Sequence, residues 1–169
     1  MKLPFLKHFL ALALVIFGGI VQGQTSHIQF ANNSADPELA SVDIWIDTVK
    51  LVDNLSFRMA SDPIEVASSQ LVNILILDSS SIDTLSFDSM LVDSFSYGAS
   101  YLLMLEGLMD SVNYSPFEPY SIKKMRRQEQ LIASYTSVMF HLGATDATAL
   151  QVDETRRGLG NLIDSISYG

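Results

Sequence analysis

An internal repeat is the feature that most constrains the fold of this chain. FANNSADPELASVD at residues 30–43 recurs as FHLGATDATALQVD at residues 140–153, with four matching residues at a constant offset of 110. LVDNLSF at residues 51–57 then recurs as LIDSISY at residues 162–168, at an offset of 111. A repeat of this length predicts a folded module of about a hundred residues. The second copy stops one residue before the sequence does, so we expect it to be incomplete.

Composition narrows the class of protein. The 169 residues allow one domain or slightly more, and a hydrophobic fraction of 48% is enough for a real core. The chain has no cysteine, which excludes disulfides, thiolate zinc sites and cysteine nucleophiles.

The first 23 residues read as a secretory signal peptide. Lys2 and Lys7 precede an apolar run at residues 9–21, and Val21-Gln22-Gly23 is a cleavage site of small-residue type. The run is shorter than the roughly 20 residues that span a bilayer. We therefore expect a secreted or cell-surface protein without a membrane span. The remaining chain carries a formal charge of −11, because the signal holds two of the ten basic residues and none of the acidic ones. This charge argues against nucleic-acid binding.

The sequence VDIWID at residues 42–47 has the period of a half-buried strand. Alternation predicts that Val42, Ile44 and Ile46 face a core and that the intervening side chains face water. These outward residues are Asp43, Trp45 and Asp47. LVDNLSF follows after a short connection and predicts a hairpin.

Two apolar runs complete the expected core. LVNILIL at residues 71–77 is expected to be a strand buried on both faces, and YLLML at residues 101–105 to be the last strand. Seven or eight short strands fit an all-β, immunoglobulin-like antiparallel β-sandwich over residues 24–112, followed by an incomplete second repeat. The expected core residues are Val42, Ile44, Ile46, Leu55, Leu75, Leu77 and Leu103.

The remaining chain divides into a connection and the second repeat. Residues 113–134 hold Pro116, Pro119 and the basic cluster KKMRR at 123–127. This segment predicts a linker or an extended edge segment, with a short helix over 122–133 as the competing interpretation. Its cluster is either a solubilising face or a contact for an anionic surface. Residues 135–169 offer about two strands, which are marginal in water alone. We expect them to be weakly ordered or to borrow an edge of the first sandwich.

The motifs NNSADP, ASVDIWID and LVDNLSF together resemble the domain of unknown function 4397 family. That family has an H-x-S-P-D-A-P-like turn before a V-D-V-Y-V-D-G-like strand, and YLLMLEG at residues 101–107 is similar to its closing strand. The resemblance covers residues 28–107 well and 138–169 in part, as in tandem secreted proteins of Bacteroidota. It implies a secreted β-sandwich module and brings neither an activity nor catalytic residues. The chain departs from the pattern at Thr48, where the family has glycine, and at Glu154 and Arg156, which replace Ile44 and Ile46 in the second copy.

The sequence shows no constellation for catalysis. His27 and His141 are the only histidines after the signal, and no G-x-S-x-G elbow, metal-ligand cluster or phosphate-binding glycine loop occurs. We interpret His27 as an exposed residue at a strand start and His141 as a satisfied strand residue. The sequence therefore predicts no enzyme, no cofactor and no metal.

Trp45, with Asp43 and Asp47 beside it, is the candidate ligand contact. An aromatic ring flanked by carboxylates can stack a sugar ring, or it can form an aromatic cross-strand pair that stabilises the sheet by about 0.2–1 kcal/mol. We expect a noncatalytic module for adhesion, scaffolding or glycan contact. The alternative is an accessory or degenerate domain of an extracellular hydrolase.

Overall fold

The chain folds into an all-β sandwich, as its strand pattern predicts. The computed structural model describes residues 24–80, 89–127, 138–144, 149–156, 158 and 160–168, so the predicted signal peptide lies outside the described residues. The strands are β1 (Thr25–Asn32), β2 (Ser41–Ile46), β3 (Val49–Ser56), β4 (Ile64–Ala67), β5 (Leu71–Asp78), β6 (Ser89–Ser94), β7 (Ser100–Glu106), β8 (Ser121–Arg126), β9 (Leu150–Glu154) and β10 (Gly160–Ile166). The described residues contain no helix with the length and apolar character of a transmembrane span.

Two four-stranded sheets pack face to face in an immunoglobulin-like arrangement. The first has the order β4-β1-β7-β8 and the second the order β3-β2-β5-β6, while β9 and β10 form a separate pair. The ladders are antiparallel except between β1 and β7, which run parallel. This parallel pair places β1 and β7 side by side at the centre of the first sheet, with β4 and β8 at its edges.

The core lies between the two sheets and is built from alternate residues of their central strands. Phe30, Leu103 and Ile44 are fully buried in it. Six of the seven expected core residues are buried: Val42, Ile44, Ile46, Leu55, Leu77 and Leu103. Leu75 was wrongly expected among them; it is only half-buried, because it lies on the outer face of β5 opposite Trp45.

The apolar sequence of β5 predicts burial on both faces, and this prediction is wrong. Val72, Ile74 and Ile76 point into the core, whereas Leu71 is 71% exposed and Asn73 is exposed. The reason is that only one face of this antiparallel sheet packs on another sheet, so the opposite face borders solvent. Leu77 is the exception on the outer face, since it is buried opposite Asp43.

β8 lies within residues 113–134, for which the sequence predicts either a linker or an extended edge segment. It pairs along its whole length with β7 and forms an edge of the first sheet. A helix is therefore excluded for residues 121–126, while residues 128–133 lie outside the described residues. Lys124 is exposed, and its Nζ atom lies 2.6 Å from Asp93 of β6, so this residue of the basic cluster joins the two sheets. The domain boundaries at residues 112 and 134 remain predictions.

The turn after β1 is built by side chains that bond to nearby backbone. Asn32 accepts from the backbone N–H of Ser34, and the Ser34 hydroxyl accepts from that of Asp36. Asp36 caps the 3₁₀ turn Pro37–Leu39 and also accepts from the N–H of Met109, at 2.6 Å. The Asp36 carboxylate therefore also holds the segment that follows β7 against the turn after β1.

The second repeat forms a hairpin and contacts the first sandwich. β9 and β10 are antiparallel, and Leu142 forms a bridge with Tyr168 beyond the hairpin. Leu142 is buried, and the neighbouring His141 reaches the carboxylate of Glu106 at the end of β7.

Candidate functional site

The three residues singled out in the sequence lie on or next to one surface, which we call the Trp45 face. It is the outer face of the second sheet and comprises Trp45, Lys50, Asp47, Asn73 and Leu75. Trp45 of β2 lies directly opposite Lys50 of β3 on one side and Leu75 of β5 on the other. Directly opposed residues of antiparallel strands share a face, so these three side chains form a row across the sheet.

Trp45 is the half-buried centre of this row. The Nζ atom of Lys50 lies 6.0 Å from the centroid of its ring, at the outer limit of a cation–π contact. Neither neighbour on the adjacent strands is aromatic, so the aromatic cross-strand pair considered as an alternative is not formed. The indole is thus held by an ammonium group and a leucine, and part of it remains open to solvent.

The alternation predicts that Asp43 faces water, and this prediction is wrong. Its side chain is on the outer side of β2, but only 4% of the residue is exposed. One carboxylate oxygen accepts from the backbone N–H of Asn54 at 2.9 Å, and the other accepts from Lys50 at 2.7 Å. Asn54 has a φ of 55° in an irregular part of β3, so the carboxylate satisfies a donor that the ladder does not. Asp43 therefore positions the hairpin and Lys50 and offers no free ligand contact.

Lys50 is held between two carboxylates. It donates to Asp53 at 2.9 Å as well as to Asp43. The hydrogen bonds to Asp43 and then to Asp53 raise the pKa of Lys50 above its ordinary value. In return, the hydrogen bond from Lys50 lowers the pKa of Asp53. The ammonium is thus fixed beside the indole in its charged form.

Asp47 forms the turn between β2 and β3 and borders the Trp45 face. It takes a φ of 54°, so the left-handed residue of this turn is Asp47 and not Thr48. Aspartate tolerates this region better than most residues because its short side chain bonds locally. One oxygen of Asp47 accepts from both the backbone and the side-chain amide of Asn73, at 3.1 and 3.0 Å. The exposed Asp47 and Asn73 are therefore ordered before any ligand arrives.

A second polar cluster, which we call the Glu106 cluster, was missed in the sequence. Glu106 of β7 is fully buried, and its Oε2 atom lies 2.6 Å from Nε2 of His141. Its other oxygen is 3.6 Å from Nζ of Lys123 on β8. Tyr168 completes the cluster: burial raises the pKa of Tyr168 to about 12, with contributions from Glu106 and Glu118. No pattern in the sequence points to this cluster, because its members come from β7, β8 and both ends of the second repeat.

The two histidines have different environments. His27 is exposed near the start of β1, as expected. His141 is satisfied by Glu106 but is not in a strand, so that part of its interpretation is wrong. In the described part of the chain, no three His, Asp or Glu side chains are grouped as metal ligands.

Comparisons with known proteins identify neither a family nor a curated relative of this chain. No protein-family model matches the chain, and neither does any curated protein. The resemblance to the domain of unknown function 4397 family therefore remains a prediction that depends on the motifs quoted above.

Proposed function

We propose that this protein is a noncatalytic secreted or cell-surface binding module and that the Trp45 face contacts a glycan. The observation that carries this proposal is the half-buried but solvent-accessible Trp45, which lies in a row with Lys50 and Leu75 on the outer sheet face. The signal-like first 23 residues and the acidic charge support a location outside the cell.

The chemistry of the face suits a sugar ring. A pyranose has an apolar C–H side that stacks on an aromatic ring and hydroxyl groups at its rim that need hydrogen-bond partners. Trp45 supplies the flat apolar surface together with an N–H donor, while Lys50, Asp47 and Asn73 supply polar groups around it. Asp47 and Asn73 already bond to each other, and Lys50 is already bonded to Asp43 and Asp53, so binding would order few additional side chains, which lowers its entropic cost.

The single tryptophan of the chain allows a direct test. Because Trp45 is the only indole, its fluorescence reports contact at this face and nowhere else. A glycan array probed with residues 24–169 should identify a ligand, and titration with that ligand should shift the emission of Trp45. Trp45→Ala should lose the array signal. Tyr97→Ala removes an aromatic side chain that is 66% exposed elsewhere, and should retain the signal.

Two outcomes would contradict the proposal. Equal loss of binding in both variants would place the ligand elsewhere or indicate that binding is unspecific. Turnover of esterase or glycosidase substrates by the wild-type chain would favour the alternative of an accessory hydrolase domain instead.

A further inference from the structure

A cavity of about 260 Å³ lies on the side of the sandwich that is opposite the Trp45 face. Its floor is the outer face of the first sheet, where Ala31 of β1 is paired with Met104 of β7 and both alternate with core residues. The loop at residues 58–60 forms one wall, and His141 contributes to another. The cavity therefore lies between the first sandwich and a segment of the second repeat.

Apolar side chains make up much of the surface of this cavity. Met59 and Met104 supply two thioether side chains, and Ala31 and Ala60 supply methyl groups. Methionine side chains are flexible and polarizable, so they adapt to ligands of irregular shape. The volume falls just below the range of about 300–1,000 Å³ that holds drug-sized ligands, so the cavity suits a smaller molecule.

Arg58 supplies a positive charge at this cavity. In the described part of the chain, no carboxylate lies within ion-pair distance of Arg58, whose guanidinium carbon is 5.0 Å from the centroid of the Phe57 ring. Glu106, the carboxylate that His141 contacts, is fully buried and has Lys123 as its second partner. An arginine without an acidic partner is informative in so acidic a chain, because a guanidinium binds a carboxylate through two parallel hydrogen bonds.

The wall from the second repeat is closely fitted to the sandwich. The Nε2 atom of His141 lies 2.6 Å from Glu106, and the next residue, Leu142, is buried. A Cβ atom at Gly143 would collide with the side-chain amide of Asn33, which also lines the cavity, so only glycine allows this approach. A ligand in the cavity would therefore contact both the sandwich and the second repeat.

We propose that this cavity binds a small amphipathic carboxylate. The carboxylate pairs with Arg58, and the apolar body packs against Met59 and Met104. This site is separate from the Trp45 face, which belongs to the other sheet, and so goes beyond glycan contact. Because His141 forms part of the wall, the bound ligand would also stabilise the contact between the second repeat and the sandwich.

Hexanoate is the probe for this cavity, with hexanol and hexylammonium as controls of the same chain length. Residues 24–169 would be labelled with carbon-13 at the methionine methyl groups. Hexanoate should shift the signals of Met59 and Met104 saturably, and should leave that of Met109, which is 39% exposed outside the cavity, in place. Hexanol and hexylammonium should bind at least about tenfold more weakly, because neither pairs with a guanidinium. Butyrate should lose about fourfold in affinity for each missing methylene.

Two further readouts separate this site from the Trp45 face. Hexanoate should leave the fluorescence of Trp45 unchanged, because the indole lies on the other sheet. Hydrogen exchange at residues 138–144 should slow when hexanoate is bound, since the ligand would hold this segment on the sandwich.

Two protein variants localise the binding. Arg58→Gln removes the charge and should weaken hexanoate binding by at least about tenfold. Arg126→Gln removes an exposed arginine of β8 that does not line the cavity, and should retain binding. If Arg58→Gln alters the fold, its methyl spectrum without ligand shows this, and the comparison of hexanoate with hexylammonium on the wild-type chain then decides the matter. Equal binding of hexylammonium, unchanged affinity in a folded Arg58→Gln, a shift of Met109 in place of Met59 and Met104, or no saturable binding of hexanoate at millimolar concentration would each overturn the proposal.

Discussion

At the scale of single residues, Asp43 shows how a surface position becomes structural. Its carboxylate accepts from Asn54 and Lys50 while being almost fully buried. Asp43→Ala should therefore lower the free energy of unfolding by about 1–3 kcal/mol, the usual cost of a buried donor left without a partner. Asp43→Asn should lose less, because its amide oxygen can still accept from Asn54. Urea unfolding measures both.

Asp53→Ala is the matched control for this change. Asp53 also binds Lys50, but its side chain is exposed, so its loss should leave the unfolding midpoint nearly unchanged. Equal effects of the two substitutions would show that the ion pair with Lys50, and not the bond to Asn54, is what matters. Alternation predicted the side of β2 on which Asp43 lies, but not its burial, because burial depends on Lys50 and Leu77 from two other strands.

Tyr168 gives a residue-level prediction in alkaline solution. Its pKa is raised to about 12 by burial and by Glu106 and Glu118, compared with about 10 in an unfolded chain. Because the pKa is raised in the folded state, the neutral phenol contributes fully to the free energy of unfolding below a pH of about 10. This contribution is lost as the pH rises toward 12. Absorbance titration of the six tyrosines should show one late step that Tyr168→Phe removes. Retention of this step in Tyr168→Phe would contradict the assignment.

At the scale of elements, β8 contributes more than an extra edge. Lys124 reaches Asp93 across the sandwich and lies 5.4 and 5.6 Å from the ring centroids of Phe95 and Tyr101. A double-mutant cycle of Lys124→Ala and Asp93→Ala should give a coupling energy of about 0.5–1 kcal/mol, the range of a partly exposed ion pair. Arg126→Ala, an exposed basic residue of the same strand, should change stability by less than about 0.5 kcal/mol. A coupling near zero would mean that the ion pair contributes nothing.

Acid should weaken the same contact. Burial raises the pKa of Asp93, but hydrogen bonds from Lys124 and from the Ser94 amide outweigh it and lower the pKa overall. A lowered pKa means that this contribution is present above the unfolded value of about 3.9 and is lost as pH falls through the folded one. The pH dependence of unfolding should thus be flatter in Lys124→Ala below about pH 4. An identical dependence in both proteins would show that Asp93 is not linked to folding through Lys124.

Some strands can be predicted from local sequence, whereas others depend on pairing with a distant part of the chain. β2 and β3 follow from local alternation and a short turn, so residues 42–57 carry enough information on their own. β8 has two adjacent lysines and lies after two prolines, and its strand conformation comes from pairing with β7. The exposure of Leu71 likewise depends on which face of the sheet the other sheet covers, and this is a property of the tertiary structure.

At the scale of the whole molecule, the hairpin of β9 and β10 lies in the expected second copy, and the segment before this hairpin contacts the first sandwich through His141. The sequence predicts the hairpin of the second copy from the residues it shares with the first. It does not predict the contact between Glu106 and His141, which are 35 residues apart and belong to different copies.

The contact between the copies leads to the last prediction. Glu106 is fully buried, and His141 together with Lys123 supplies its partners, so loss of the imidazole should release the segment at residues 138–144 from the end of β7. In His141→Ala, hydrogen exchange at residues 138–144 and in the hairpin should accelerate by about tenfold for each 1.4 kcal/mol of docking free energy lost.

The sandwich provides the internal reference for this experiment. Protection across Leu71–Asp78 and Ser100–Glu106 should persist in His141→Ala, because the core of the first copy contains none of the residues that are released. His27→Ala removes an exposed histidine and should change neither region. A uniform loss of protection in His141→Ala would mean that the second copy is an integral part of the first domain. An unchanged pattern would mean that Leu142 and the Leu142–Tyr168 bridge hold the segment without His141, and that the Glu106 cluster does not join the two copies.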